Sequence, residues 1–176
     1  MEVFRRALAQ EKSSRDGLRK TRWAVIRNTQ PELKTTTIKT WLDWFPEASY
    51  GKMNWSPPFT HYIRRGEIDA EIIFLALDKA EDVKKLLSLE LTGAFINEAR
   101  EIPKSVLDAV TMRVGRYPSQ RDCGPTWSGV IMDTNAPDED HWWAIMSGDV
   151  APPEWMAEEE IRQLVKPKDW AFFSQP

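Results

Sequence analysis

Apolar positions along the chain change their period several times, and each change marks an element. Over residues 2–12, Val3, Phe4, Ala7 and Leu8 recur at three- and four-residue spacing, the stripe of a helix lying on a core. "RWAVIRN" (22–28) is a compact apolar run closed by polar groups, which predicts a strand buried on both faces. Pro31 suits the first turn of a following helix, "PELKTTTIKTWLDWF". Its threonine-rich centre has weak helix propensity, yet Leu33, Ile38, Trp41, Leu42 and Phe45 still form an apolar face.

Further along, "THYIRRGEIDAEIIFLAL" (60–77) reads as a hairpin turning near Arg65-Gly66. Asp78 to Glu81 has the form of a capping box that opens the short helix "AEDVKKLLS". A strand "LTGAFIN", a helix "KSVLDAVTMRV", a turn-rich "RYPSQRDCGPTWS" and a second buried-type strand "GVIMDTN" (129–135) follow. Gly93 reads as a close-packing position or the start of a strand. "APDEDHWWAIM" is expected to be a helix led by acids. Another helix, "PPEWMAEEEIRQLV", is expected inside an otherwise irregular segment from about residue 150 to 176.

Three of the apolar runs end in polar side chains: Arg27-Asn28-Thr29, Asn97-Glu98 and Asp133-Thr134-Asn135. A helix is expected after each. That alternation belongs to an open, mainly parallel sheet, where ligands bind beyond the carboxyl ends of the strands. If the three runs are neighbours, their tips gather on one rim. Four apolar residues followed by a polar–acidic pair suit nucleotide hydrolysis: the first polar group holds Mg2+ through its water shell, and the acid orients or deprotonates the attacking water. Against this, the chain contains no G-x-x-x-x-G-K-[ST] loop; its Gly51-Lys52 pair lacks the upstream glycine and is followed by Met53.

Composition narrows the class. At 176 residues, 41% apolar and 29% charged, the chain can build one ordinary domain with a real core. Its single cysteine, Cys123, cannot form an internal disulfide and fits a reducing compartment. No apolar segment approaches the roughly 20 residues of a membrane span, and "MEVFRRALAQEK" is not a secretory signal. Charge is unevenly spread: residues 1–41 hold ten Lys/Arg against four Asp/Glu, while 138–160 hold eight Asp/Glu and no Lys/Arg. Two solvated faces explain this, and so does a basic side that meets phosphates. His61, His141 and the run Asp138-Glu139-Asp140 read as packing and helix-terminus residues rather than ligands, and Trp41, Trp44, Trp142 and Trp143 as core and helix-packing residues rather than base-stacking platforms.

"TRWAVIRNTQPELKTTTIKTWLDWFP", "EIIFLALDKAEDVKKLLSLELTGAFINEAREIP" and "GVIMDTNAPDEDHWW" together resemble the ATPase domain of tailed-phage terminase large subunits, the motors that package DNA. The resemblance runs from about residue 2 to 173, with the motifs in family order. It implies an α/β core of the P-loop NTPase (ASCE) type, with a mainly parallel sheet flanked by helices plus a β-hairpin. "AFINE" resembles the Walker B strand, with Glu98 as catalytic carboxylate and Asn97 where an Asp or Glu usually serves the metal. "MDTNAP" resembles the coupling motif, with Thr134 and Asn135 sensing the γ-phosphate. "AVIRNT" places Arg27 near the nucleotide edge, and Arg113 and Arg116 fall where the family often has phosphate or interface arginines.

The same resemblance implies ATP and Mg2+ as cofactors. As partners it implies double-stranded DNA, a terminase small subunit, a portal and a homo-oligomeric ring, in the cytoplasm of a bacterial host. It implies a Walker A loop before Met1 and a nuclease domain after Pro176, so that residues 1–176 are a partial domain from a phage or prophage, inactive by itself. The central strand carrying that loop is then expected to be absent, leaving a gap in the sheet with unpaired flanking strands and, with it, reduced stability or association. Two other readings stand beside this one. The first is a non-enzymatic remnant or regulator that binds DNA or motor subunits through its basic, tryptophan-containing face. The second is a metal-dependent hydrolase using Glu98, Asp133 and Asp138 to Asp140.

Overall fold

A computed structural model describes residues 2–77 and 82–174 of the chain, so the capping box expected at 78–81 lies outside the described residues. The chain forms two compact units, one ending at Asp133 and the other beginning at Thr134.

The first unit is built on six strands: β1 (Arg19–Arg27), β2 (Met53–Asn54), β3 (Phe59–Arg65), β4 (Ile68–Ala76), β5 (Gly93–Ile96) and β6 (Gly129–Met132). Their spatial order is β2-β3-β4-β1-β5-β6. β3 and β4 are the expected antiparallel hairpin, turning at Gly66 in the left-handed region. β4, β1, β5 and β6 are mutually parallel.

β1 lies inside the sheet, and the reason is visible in its composition. Trp23, Ala24, Val25 and Ile26 are all at most 2% exposed, so both faces of the strand are covered. Trp23 and Val25 join Ile72, Phe74, Phe59 and Ile63 in one core cluster. That face is covered by α1 (Glu2–Ala9), through Val3 and Ala7, and by a helical stretch between residues 30 and 44. Ala24, Ile26, Ile73, Leu75, Ala94 and Ile96 alternate onto the other face and are equally buried. There α6 (Lys104–Thr111) meets β6, and α5 (Val83–Leu87) packs against α6. Each fully buried Ile or Phe contributes roughly 1.5–3 kcal/mol.

The helical stretch has three parts, α2 (Gln30–Glu32), a π-helical segment Leu33–Ile38, and α3 (Lys39–Trp44), and the one-turn α4 (Glu47–Tyr50) follows it. Thr29 caps it and Pro31 sits in its first turn, as expected. The threonine run explains the π-helical middle. The Thr35 and Thr36 hydroxyls donate to the carbonyls of Pro31 and Glu32 at 2.9 and 2.6 Å, competing with the backbone for those acceptors.

Several expectations are corrected. The sheet has no internal gap: β1 pairs directly with β4 and β5, and β5 with β6. β6 is the outer strand, and its four residues are half-buried rather than buried on both faces; among the described residues no strand pairs with its other edge. In the second unit the acids 138–140 precede the helix instead of forming its first turn. α7 spans Trp142–Ser147, and His141 caps it by accepting from the Trp143 amide at 3.1 Å. α8 is short, Glu158–Gln163. The Trp143 ring meets Phe172 edge-on, with centroids 5.2 Å apart.

Candidate functional site

Strand register places three polar residues in one row. Ile26 lies opposite Ile96, and Ile96 opposite Met132, so Arg27, Asn97 and Asp133 are the next residues along three adjacent parallel strands. The two-residue period gives them the face of Val25, Phe95 and Ile131, the face lying under the helical stretch. The rim expected from the sequence forms at these positions.

Asn97 links the row. Its Oδ1 accepts from the Thr37 hydroxyl at 3.1 Å and from Arg27 Nη1 at 3.4 Å, and its Nδ2 donates to Asp133 Oδ1 at 2.9 Å. Arginine only donates and a carboxylate only accepts, so a single amide orientation satisfies both neighbours. Thr37 belongs to the π-helical segment, whose altered turn carries its hydroxyl to the strand end. The sequence gives no periodic signal for Thr37; the one hint is three threonines in a helix of otherwise apolar facing.

The next residue departs from strand geometry abruptly. Glu98 has φ 56° and ψ 58°, left-handed values that cost a non-glycine residue roughly 1–2 kcal/mol. Three bonds hold it there: Asn97 N–H to Ile26 O at 2.9 Å, Glu98 N–H to Asp133 Oδ1 at 3.0 Å, and Ala99 N–H to Asp133 O at 2.9 Å. The chain then enters a 3₁₀ turn, Ala99–Glu101. Arg100 Nε stands 3.9 Å from the Glu98 carboxylate. Arg27, its side chain only 11% exposed, has Glu101 at 3.4 Å and Glu32 at 3.8 Å. These separations are long for so buried a guanidinium, and Arg27 Nε has no hydrogen-bond partner.

A cavity of about 300 Å3 opens beside the row, lined by Thr37, Trp41, Trp44, Phe95, Asn97 and Asp133 among others. A larger one, about 480 Å3, lies by Pro57 to Phe59 and Ile73 to Ala76, and among the described residues its only charged lining residue is Lys85. Convergent polar groups make the smaller cavity the better candidate. Its far wall is tied down by Trp41, whose indole Nε1–H donates to His61 Nδ1 at 2.9 Å, while His61 Nε2 bonds Gly51 O at 2.9 Å. Indole nitrogen is a donor only, so His61 is the neutral Nε2–H tautomer. Burial holds its pKa below the ordinary value near 6.5.

Other sequence candidates lie elsewhere. Arg113 and Arg116 follow α6 and bracket Leu91, at the beginning of β5 and therefore at the opposite end of that strand from Asn97. Thr134 and Asn135 belong to the second unit. The basic first 41 residues do not present a bare cationic face. Lys12 and Arg19 pair with Glu67, Lys20 with Asp16 and Asp122, and Arg22 with Glu71 at 2.5 Å. Among the described residues no group of three or more His, Cys, Asp or Glu could hold a metal ion by itself. No helix among the described residues is long and apolar enough to cross a membrane.

A Mg2+ ion, which the resemblance implies, would find one suitable carboxylate in the row. Asn97 Oδ1 already faces two donors, Thr37 and Arg27. Asp133 carries the row's negative charge, and both of its side-chain bonds fall on Oδ1. Mg2+ is commonly held by one or two carboxylates together with waters and substrate phosphates, so Asp133 fits such a role.

No protein-family model matches the sequence, and no curated protein matches it. Among solved structures the chain is similar to the large terminase from a thermophilic bacteriophage, with 13% identity over 74% of this chain and 30% of that one, at a TM-score of 0.56. It is also similar to the same phage's large terminase in another crystal form, in complex with ADP, with 16% identity over 79% of this chain and 36% of that one, at a TM-score of 0.51. The chain thus spans about a third of the length of these structures. With its mainly parallel six-stranded sheet flanked by helices, the chain shares the α/β fold of these phage large terminases.

Proposed function

We propose that this chain is part of the ATPase motor of a phage terminase large subunit, coupling ATP hydrolysis to the packaging of double-stranded DNA. One observation carries the reading: Arg27, Asn97 and Asp133 stand in a row at the carboxyl ends of three parallel strands, beside a backbone-strained Glu98. Strain of this kind persists where surrounding bonds over-determine it, and functional sites are where it collects.

In this reading Glu98 accepts the proton of the attacking water, a general-base contribution of about 10²–10⁴-fold. Arg27 supports the phosphate side through its held guanidinium. Thr134 and Asn135, which follow Asp133 in the chain, sense the γ-phosphate and relay its loss. Mg2+, when bound, would be held at the row through Asp133 and would supply positive charge to offset that of the phosphates. Double-stranded DNA, a small subunit, a portal and sister copies in a ring are the partners this role requires, with Arg113 and Arg116 available for contacts away from the rim. The chain contains no G-x-x-x-x-G-K-[ST] stretch, so alone it is expected to be inactive.

The test is phosphate release from ATP with double-stranded DNA, by the chain alone and then mixed with a polypeptide supplying that loop. Release is expected only in the mixture, and Glu98→Gln is expected to cut it by about 10²–10⁴-fold. Turnover by the chain alone that Glu98→Gln abolishes would overturn the expectation of inactivity. Absence of DNA-stimulated release in the mixture would overturn the motor reading.

A further inference from the structure

We infer that Asp133, not Asn97, is the group that faces the divalent cation, and that Thr37 and Asn97 are positioning residues that hold its carboxylate. The inference rests on reading the rim as a nucleotide–magnesium site, and it relocates the charge that site needs from β5 to the end of β6.

The argument begins with the amide. Thr37 and Arg27 both donate to Asn97 Oδ1, which turns the NH2 group toward Asp133. Asn97 therefore converts a cationic neighbour on one side into a hydrogen bond to an anion on the other. It offers no oxygen outward. Asp133 receives two donors, Asn97 Nδ2 at 2.9 Å and the Glu98 amide at 3.0 Å, both on Oδ1. No described residue donates to Oδ2. A carboxylate gripped on one oxygen and open on the other is arranged for one further ligand, and its exposed position lets a hydrated cation approach.

The amide at 97 also has a reason of its own. An aspartate there would set two carboxylates about as close as the present 2.9 Å bond, where both cannot stay ionised without a cation between them. Asparagine keeps the pair singly charged and lets it form before any metal arrives. The same Asp133 amide bond also steadies the left-handed turn at Glu98, so the group facing the cation and the acid facing water share one anchor.

Mn2+ alone, followed by electron paramagnetic resonance with no nucleotide present, tests this independently of any ATP turnover. The wild-type chain is expected to bind one Mn2+ weakly, and Asp133→Asn to weaken it by about 100-fold. Thr37→Val, which keeps the side chain's shape and removes only the donor, is expected to weaken it by about tenfold while the unfolding midpoint without metal stays within a degree or two. Asn97→Asp is expected to bind about tenfold more tightly and to acquire a Mn2+-dependent unfolding midpoint, since the cation separates its two carboxylates. Mn2+ binding that survives Asp133→Asn, or a wild-type chain that binds none, overturns the inference. Either result leaves the motor reading standing on the phosphate-release experiment.

Discussion

At the N-terminal ends of β5 and β6, Gly93 and Gly129 are paired, and the Trp23 and Trp127 rings stack 5.5 Å apart over them. At the carboxyl ends of the same strands, four residues on, stand Asn97 and Asp133, a left-handed glutamate and a cavity. The first end has no room: a Cβ at Gly93 would lie 2.7 Å from the Trp23 ring and 2.9 Å from that of Trp127. Arg6 closes it further, its guanidinium 4.4 Å over Trp127. The second end stores backbone strain at Glu98 and a network of polar side chains. Stability and candidate chemistry thus occupy opposite ends of one set of strands, and substitutions at the two ends should act with opposite sign.

Gly93→Ala should have the largest effect. A methyl group forced against two indole rings is expected to cost about 1–3 kcal/mol, read as a lower urea midpoint with an unchanged slope. A neutral result would mean that the tryptophan pair moves aside easily, and the contrast between the ends would weaken.

Acidification comes next and acts on the cover of the rim. The neutral His61 accepts the Trp41 indole, and burial keeps its pKa below that of the unfolded chain. As pH falls, the unfolded chain takes up the proton first. The His61 contribution is therefore complete above about 6.5 and is lost progressively below it, toward the native pKa. Unfolding free energy measured from pH 7.5 to 5.5 should decline, and His61→Gln should flatten that slope. The carboxylates Glu2 and Asp122, each held at a pKa of about 2 by Arg5 and Lys20 respectively, lose their pairing only in a more acidic range.

The smallest effect belongs to the strained end. Glu98→Gly removes the steric cost of the left-handed turn and adds glycine's chain entropy, so a net gain of up to about 1 kcal/mol is expected. A loss of stability on thermal unfolding would show that the Glu98 side chain contributes more than its backbone costs, and would erase the sign difference between the ends.

Much of this was legible in residue patterns. The doubly covered β1, the hairpin at Gly66 and the polar tips at 27, 97 and 133 all follow from local period and from where apolar runs stop. The edge position of β6 does not, because "GVIM" reads the same whether one flank or both are paired. The pairing of the basic N-terminal region was not legible for a similar reason: the acids that neutralise it, Glu67, Glu71 and Asp122, lie far along the chain. Arg113 and Arg116 looked like site residues by order alone, yet the strand between them and Asn97 carries them to the other end.

Sequence by itself determined the elements and their buried faces, since a two- or 3.6-residue period is a local property that burial must obey. It also determined that three strands would end in polar groups. Only the tertiary structure decided what those groups do to one another. The register that aligns Arg27, Asn97 and Asp133, and the π-helical turn that brings in Thr37, depend on distant segments meeting at atomic distances. An amide's orientation is set by its neighbours' donors and acceptors, and no residue's own letter records them.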